Sequence, residues 1–405
     1  AENRAYIIIN KEVERVSKKA VDDLSLNING GEIWLSMCLG QKNEKKASQI
    51  LYNSFVMLVV LSLCLTLGFI LLKHNLIYWF GGSDALYPYA NTYLTIYTLG
   101  TFFALMSIGL NYFITGQGYA TIAMLSVCIG AITNIIFDFI LIRTLKIGVA
   151  GAAIGTVVAQ FLSCMFVLWF LRFKTKIKLK KEELSIEKMK HIVKLGFSPF
   201  LILASDSVIL IVMNMMLQKY GGNMGDVYIS AITVAQSYFL LITGPLLGIS
   251  SGTQPIYAYH FGAKNLKKIK EAFKIIISFA FLFCLVMFII SMCYSNVFVS
   301  MFTSDAMTMP IADRAIKIFC LGILMMSIQY VLVDGITGLS NVKLSLFLSL
   351  NRKMMYLGCT CLLPAFLGVS NIFYAQPIAD IYASIVTAIC FIKIIPSYLK
   401  SHGVK

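Results

Sequence analysis

Ten long apolar runs constrain this chain more than any other feature of its sequence. Each run is long enough, at roughly 20 residues, to cross the hydrocarbon core of a bilayer as an α-helix. The runs are continuous rather than alternating, which favours helices over the strands of a membrane barrel. The sequence therefore predicts an all-α polytopic membrane protein with about ten transmembrane helices. The runs lie at 50–72, 89–115, 119–142, 150–172, 196–218, 227–251, 274–298, 313–336, 343–366 and 372–396.

The composition of the chain agrees with a place in the lipid bilayer. Charged residues make up only 13% of the sequence, whereas a soluble domain of this size carries about 25%. So little charge cannot cover a protein surface in water. In lipid the apolar surface is favourable, and helices satisfy their own backbone hydrogen bonds.

The net charge of +15 follows the loops of the predicted topology. Basic residues cluster in or beside every second loop, at 42–46, 172–194, 264–270, 343–353 and 393–405. The alternate loops are nearly free of them. This positive-inside pattern predicts that the basic loops and the C-terminus face the cytoplasm. We therefore attribute the charge to topology and expect the lipid bilayer, not a nucleic acid, as the large partner.

Two basic residues do not fit this simple pattern. Arg352 and Lys353 fall inside the ninth run, at 343–366. We expect either that this helix begins after them or that their side chains snorkel to the membrane surface.

The sequence contains an internal repeat of about 220 residues. Gly40–Lys46, with the sequence GQKNEKK, returns as Gly262–Lys268, with the sequence GAKNLKK. Ile114–Gly116 returns as Ile336–Gly338 at the same shift of 222. The matched basic loops are both predicted to be cytoplasmic, so each unit holds an even number of spans. This predicts two parallel helical-bundle repeats about an axis along the membrane normal, as in many secondary transporters.

The repeat also predicts an unequal number of spans in its two units. The second unit has six spans, which begin with those near 196 and 227. A shift of 222 places the counterpart of the first before residue 1 and that of the second near residues 5–30. That stretch contains eight charged side chains, and central charges cost about 2.5–3.5 kcal/mol each in a membrane helix. The sequence therefore predicts four spans followed by six.

These observations divide the chain into four segments. Residues 1–32 form a polar N-terminal segment, 33–172 an incomplete first helical bundle, 173–193 a basic cytoplasmic linker, and 194–405 a complete six-helix second bundle. The stretch from Lys18 to Ile33 resembles the opening strands of ABC-transporter ATPase domains; the alternative is an ordinary polar tail. No Gly-Lys-Ser/Thr phosphate loop follows it, so we expect no bound nucleotide.

Several ordered motifs then resemble one transporter family over roughly nine-tenths of the chain. They are Ile33–Ala47, Asn134–Asp138, Gly148–Ala153, Gly244–Gly248, Gln254–Pro255, Gly262–Lys264, Ser349–Arg352 and Gln376–Asp380. The pattern is similar to that of the multidrug and toxic compound extrusion (MATE) transporters. The chain departs from the family in lacking its first helix and most of its second.

The resemblance implies a function as well as a fold. Members have two six-helix bundles around a central cavity and export organic cations in exchange for Na⁺ or H⁺. By this resemblance we expect secondary-active multidrug efflux across the bacterial plasma membrane, by a monomer that is not an enzyme and has no cofactor. The ten cysteines lie mostly inside spans as small apolar residues and the four histidines near loops, so we also expect no metal site.

Carboxylates inside the bilayer are costly, so each one is a candidate functional group. Asp138 matches the acidic position of the family's Asn-x-x-x-Asp motif, and Asn134 lies one helical turn earlier on the same face. A buried anion there could attract a cationic drug or hold a proton. The alternative is a carboxylate at a helix end that reaches water or pairs with Arg143.

Further carboxylates fall in the second unit. Asp206 lies near the middle of its span, and Asn214 lies eight residues later on roughly the same face, so the two could form a polar cation site. The alternative is a hydrogen bond that only joins helices. Asp380 lies in the last helix, after Pro377. Asp334, near the end of its span, is expected to pair with a loop lysine.

Two other functions compete with multidrug export. A flippase for lipid-linked saccharides, from a related superfamily, should favour a strongly basic cavity, yet the spans contain hardly any arginine or lysine. A truncated or fused transporter remnant without activity is the third reading, because the missing helices should line the first bundle's cavity.

Overall fold

The computed structural model describes residues 29–79, 87–303 and 305–404. Residues 1–28 lie outside these ranges, including the first 11 of the 16 residues of the ABC-like stretch, whose last five, Asn29–Ile33, lie in a helix. The chain divides into two compact units, one ending at Phe200 (unit 1) and the other beginning at Leu201 (unit 2). We describe each unit by itself.

Unit 1 is built from long apolar helices. Two of them, α3 and α5, pack closely side by side, and α2 packs against α3. Their interior is apolar, and Leu58, Phe113 and Val167 are fully buried in it. A single π-helical turn, Phe139–Thr144, continues α4. The helices are α1 (Asn29–Gly40), α2 (Glu44–Trp79), α3 (Tyr87–Gly116), α4 (Ala120–Asp138), α5 (Val149–Phe173) and α6 (Ile186–Gly221), the last of which continues into unit 2.

Unit 2 contains the remaining helices. Two of them, α10 and α11, form one span that is bent by 50° near Gly322. The last helix, α13, packs against both α11 and α12. The helices are α7 (Gly225–Ser251), α8 (Gln254–Gly262), α9 (Leu266–Phe302), α10 (Thr308–Cys320), α11 (Ile323–Gly338), α12 (Val342–Leu367) and α13 (Ala375–Ser401).

The backbone confirms the internal repeat. Lys42 and Lys264, which are 222 residues apart, both adopt the left-handed conformation, with φ of 59° and 55°. The next residues, Asn43 and Asn265, each accept a hydrogen bond from the backbone N–H three residues later, at 3.1 and 3.0 Å. An asparagine at this position caps the first turn of a helix. The same turn therefore starts α2 in unit 1 and α9 in unit 2.

All ten predicted spans coincide with helices of the structure. Within the described residues, seven helical stretches are long and apolar enough to cross a bilayer, or eight if the bent pair α10–α11 is one span. The number is below ten for two reasons. The end of α6 runs together with α7 and α8 as one stretch, Val208–Gly262. In addition, Arg352 and Lys353 interrupt the apolar sequence of α12.

Candidate functional site

Charged side chains from α6, α12 and α13 meet inside unit 2. The Arg352 guanidinium on α12 donates a 2.8 Å hydrogen bond to Oδ1 of Asp380 on α13. The neighbouring Lys353 ammonium donates to the carboxylate of Asp206 on α6. Adjacent residues on one helix therefore bind carboxylates on two different helices.

The Arg352–Asp380 pair is completed by further polar groups. Oδ2 of Asp380 accepts a 2.8 Å hydrogen bond from Gln376, one helical turn earlier on α13. The second guanidinium nitrogen donates to the hydroxyl of Tyr330 on α11 at 3.1 Å, and the guanidinium lies 5.1 Å from the centre of the Tyr330 ring. The Asp380 side chain is fully buried and that of Arg352 is 11% exposed. A buried ion pair is stable only when its remaining donors and acceptors are satisfied in this way.

The Lys353–Asp206 pair is less evenly buried. The Lys353 side chain is 9% exposed, whereas that of Asp206 is 45% exposed. The protein therefore encloses the ammonium much more completely than it covers the carboxylate. Among the described residues, no hydrogen bond joins Asp206 to Asn214, so the pairing suggested by their spacing is not formed here.

The expectation for Arg352 and Lys353 is wrong. The helix that contains them begins at Val342, so it does not start after them. Their side chains do not snorkel either, because both are buried against carboxylates within the unit. Electrostatic compensation by Asp380 and Asp206 explains how these charges are accommodated inside an apolar helix bundle.

In unit 1, the structure brings Asn134 and Asp138 together as predicted by their spacing. Nδ2 of Asn134 lies 3.4 Å from Oδ1 of Asp138 and 3.3 Å from the hydroxyl of Thr156 on α5. A Cβ atom at Gly155 would lie only 2.6 Å from Oδ1 of Asp138, so glycine allows the carboxylate to approach α5. Both Asn134 and Asp138 are half-buried. The Arg143 guanidinium lies over the Phe139 ring, 5.7 Å from its centre.

Asp334 pairs with a glutamine rather than with the expected loop lysine. Its Oδ1 accepts a 2.9 Å hydrogen bond from Nε2 of Gln254 on α8. Among the described residues, its Oδ2 is buried and has no hydrogen bond of good geometry, although the Ser250 hydroxyl also interacts with the carboxylate. The lysine pairing failed as a prediction because α8 packs directly against α11 and brings Gln254 to the carboxylate.

Sequence reasoning also missed a buried acid in unit 1. Glu32 was assigned to the polar N-terminal segment, but it lies in α1 and is only 3% exposed. A Cβ atom at Gly116 of α3 would lie 3.0 Å from Cγ of Glu32. The repeat could have indicated this position, because a shift of 222 relates Glu32 to Gln254, whose side chain is likewise buried.

Comparisons with known proteins agree with this architecture. A family model described as MatE matches residues 27–140 and 202–353. The multidrug export protein MepA of Staphylococcus haemolyticus is 24% identical over 359 residues, covering 87% of this chain and 77% of MepA. MepA of Staphylococcus aureus strain N315 is 22% identical over 354 residues, with the same coverage of both chains.

Solved structures share the fold at low sequence identity. A crystal structure of MATE in the bent conformation gives a TM-score of 0.91 at 20% identity, covering 98% of this chain and 89% of that one. A MOP superfamily transporter from Pyrococcus furiosus Vc1 gives the same four values. For that transporter, a reverse polarity of the binding pocket is described as suggesting a different function.

Proposed function

Because the chain belongs to the MatE family of multidrug efflux transporters, we propose that it exports small organic cations by antiport with Na⁺ or H⁺. The observation that carries this proposal is the Asp206 carboxylate, which the protein covers only in part although its partner Lys353 is buried in unit 2. A carboxylate in an apolar environment attracts a cation strongly, because the surrounding dielectric constant is low. Substrate and coupling ion can therefore compete for the same negative charge.

Asp138 provides a second, half-buried carboxylate in unit 1. It is half-buried beside Asn134 and Thr156, whose polar atoms can help to replace the hydration shell of a bound cation. Asn214 and Asp380 were also predicted to contribute. We propose a positioning role for Asp380, since both of its oxygens are already occupied, and a polar contact to the cation for Asn214 further along α6.

The test is uptake of ethidium into proteoliposomes under an imposed Na⁺ or H⁺ gradient. We expect the wild-type protein to transport ethidium under one of these gradients. Asp138→Asn and Asp206→Asn should each lower the rate by about tenfold or more, the effect of losing an interaction worth about 1.4 kcal/mol. Glu271→Gln is the matched control, because Glu271 is an exposed carboxylate that pairs with Lys268.

Two results would remove parts of this proposal. Unchanged uptake by Asp138→Asn or Asp206→Asn would exclude that residue from transport. A folded wild-type protein with no uptake under either gradient would support the reading of a chain without transport activity.

The buried Arg352 and Lys353 favour one second candidate, a flippase for lipid-linked saccharides. The argument against it from sequence was the lack of basic residues in the spans, and the structure places two inside α12. Both, however, are paired with carboxylates, so they do not form a net positive surface. Translocation of a fluorescent lipid-linked saccharide pyrophosphate across the proteoliposome membrane, with no ethidium uptake under either gradient, would favour the flippase.

Topology and assembly complete the proposal. The basic residues near the C-terminus, at 393–405, support a cytoplasmic C-terminus in the bacterial plasma membrane. A cysteine introduced at Ser401 should react with a membrane-impermeant thiol reagent only after the cells are opened. We further propose a monomer, which light scattering of the detergent-solubilised protein would test.

A further inference from the structure

Lys353 and Asp206 form an ion pair whose two members differ in access. The Lys353 side chain is 9% exposed and the Asp206 side chain is 45% exposed. The protein therefore leaves room beside the carboxylate for a second cation, whereas the ammonium is enclosed. The carboxylate is already neutralised by a cation that belongs to the protein.

Arg352, the adjacent basic residue, cannot take over this role. Its guanidinium is held by Asp380 at 2.8 Å and by the Tyr330 hydroxyl at 3.1 Å. A planar guanidinium engaged on two sides is fixed in orientation, whereas a lysine ammonium is a compact charge on a flexible stem of four carbons. Of these two neighbouring cations, only Lys353 is suited to leave its partner and return to it.

We propose that Lys353 is a resident cation that occupies Asp206 whenever no external cation is bound there. This inference rests on the proposed cation site at Asp206 and deepens it. An organic cation or Na⁺ binds the exposed part of Asp206 and displaces the ammonium. When the external cation leaves, Lys353 binds the carboxylate again.

A resident cation changes the net charge of the Asp206 site when no external cation is bound. A bare carboxylate inside a helix bundle opposes any rearrangement that buries it further, because an unpaired buried charge is costly. With Lys353 in place, the empty site is neutral. The ammonium then holds the carboxylate between the departure of one external cation and the arrival of the next, so that Asp206 is never left bare. The affinity for organic cations is correspondingly lower than that of an unpaired Asp206, since every ligand must compete with the ammonium.

The experiment compares four purified variants with the wild-type protein in detergent. Lys353→Met removes the ammonium, Lys353→Arg retains the positive charge, and the double variant Asp206→Asn/Lys353→Met removes both charges. Lys343→Met is the matched control, because Lys343 is an exposed lysine at the start of the same helix. Binding of tetraphenylphosphonium is measured directly, and thermal unfolding is measured with choline chloride or NaCl.

Lys353→Met should bind tetraphenylphosphonium about tenfold more tightly or better, as removal of a competing charge from a close pair implies. Its melting temperature should also rise with NaCl relative to choline chloride more than that of the wild-type protein. The double variant should lose both gains, and Lys353→Arg and Lys343→Met should behave like the wild-type protein. If Lys353→Met does not yield folded protein, Lys353→Gln, which keeps a hydrogen-bond donor, should show the same gains.

The outcomes separate this inference from the proposed function. Unchanged or weaker cation binding by a folded Lys353→Met, with no added response to NaCl, would overturn the resident-cation role. A response to NaCl in Lys353→Met without tetraphenylphosphonium binding by any variant would support the resident cation but contradict organic-cation export. Equal gains in Lys343→Met would show a general charge effect and would also overturn the inference.

Discussion

In each unit a glycine packs closely against a polar side chain of another helix, but the chemistry of that side chain differs between the units. A Cβ atom at Gly100 in unit 1 would lie 3.0 Å from the Gln160 side chain, and one at Gly322 in unit 2 would lie 3.1 Å from that of Asp380. The glycines are 222 residues apart and their partners 220. A neutral amide in unit 1 thus corresponds to a carboxylate in unit 2.

The basic residues differ between the units in the same way. A shift of 222 relates Arg352 and Lys353 to Gly130 and Ala131 on α4 of unit 1. The fold therefore does not need the charges, since the same helix forms without them in unit 1. Charges inside a membrane protein are costly and are retained chiefly for function. The comparison shows that a helix at this place in the repeat forms with neutral residues at both positions.

The largest effect should come from breaking one partner of the buried pair. Arg352→Met leaves Asp380 buried and uncompensated, which should lower the free energy of unfolding by about 3–5 kcal/mol. Thermal unfolding in detergent measures this loss. Arg352→Met/Asp380→Gln replaces both charges with neutral side chains, with a glutamine in place of Asp380 as at Gln160 of unit 1. This double variant should recover most of the lost free energy of unfolding. If the double variant is no more stable than Arg352→Met, neutral residues cannot replace the ion pair in unit 2, which would contradict the comparison.

A smaller effect is expected from the two glycines that make the shared contact. An added Cβ at Gly322 would lie 2.9 Å from the backbone Cα of Pro377, whereas at Gly100 it would meet only side-chain atoms of Val157 and Gln160. Backbone atoms yield less readily, so Gly322→Ala should cost about 1–3 kcal/mol, the range for overpacking. Gly100→Ala should cost less, and the opposite order of melting temperatures would contradict this packing argument.

Asp334 offers a change that should not destabilise the protein. One of its oxygens accepts from Gln254, and the other is buried without a hydrogen bond of good geometry from the described residues. Asp334→Asn removes a buried negative charge and can keep the bond from Gln254. The melting temperature should stay the same or rise, with a gain of up to about 1–3 kcal/mol, the cost of an unsatisfied buried group. A clear fall would mean that the ionised carboxylate is itself required for folding.

The smallest effect concerns the turn that starts α10. The pKa of the Asp305 carboxyl is held below its ordinary value, chiefly by the hydrogen bond from the Thr308 hydroxyl and then by the backbone N–H groups of Thr308 and Met307. The hydrogen bonds to the ionised carboxylate therefore stabilise the folded protein fully above the ordinary pKa of the group. This stabilisation is lost as the pH falls through the lowered pKa. Thr308→Val should move the pKa back up, which NMR titration of the carboxyl carbon would show. An Asp305 that titrates at its ordinary pKa in the wild-type protein would contradict this.

Much of the fold could be predicted because it depends on local sequence. Apolar length placed the helices, and the repeated motif at Gly40 and Gly262 predicted two similar turns. The contact between Asn134 and Asp138 followed from their spacing of four residues, which puts both on one face of a helix.

The ion pairs of unit 2 could not be predicted by the same rules. Lys353 and Asp206 are 147 residues apart, and Arg352 and Asp380 are 28 apart. Rules based on apolar runs treat a charge as a sign that a span has ended. Charge balance was the available signal: Asp206 and Asp380 lie inside spans and need counter-ions, and Arg352 and Lys353 lie near the middle of another span.

The most direct test of the account is gradient-driven tetraphenylphosphonium uptake by proteoliposomes that contain either the wild-type protein or Asp206→Asn/Lys353→Met. The double variant removes both charges of the ion pair, so that neither is left without its partner. We predict that the wild-type protein accumulates tetraphenylphosphonium under a Na⁺ or H⁺ gradient, and that the folded double variant does not. Equal accumulation by the two proteins would show that the ion pair is only structural and would contradict the account.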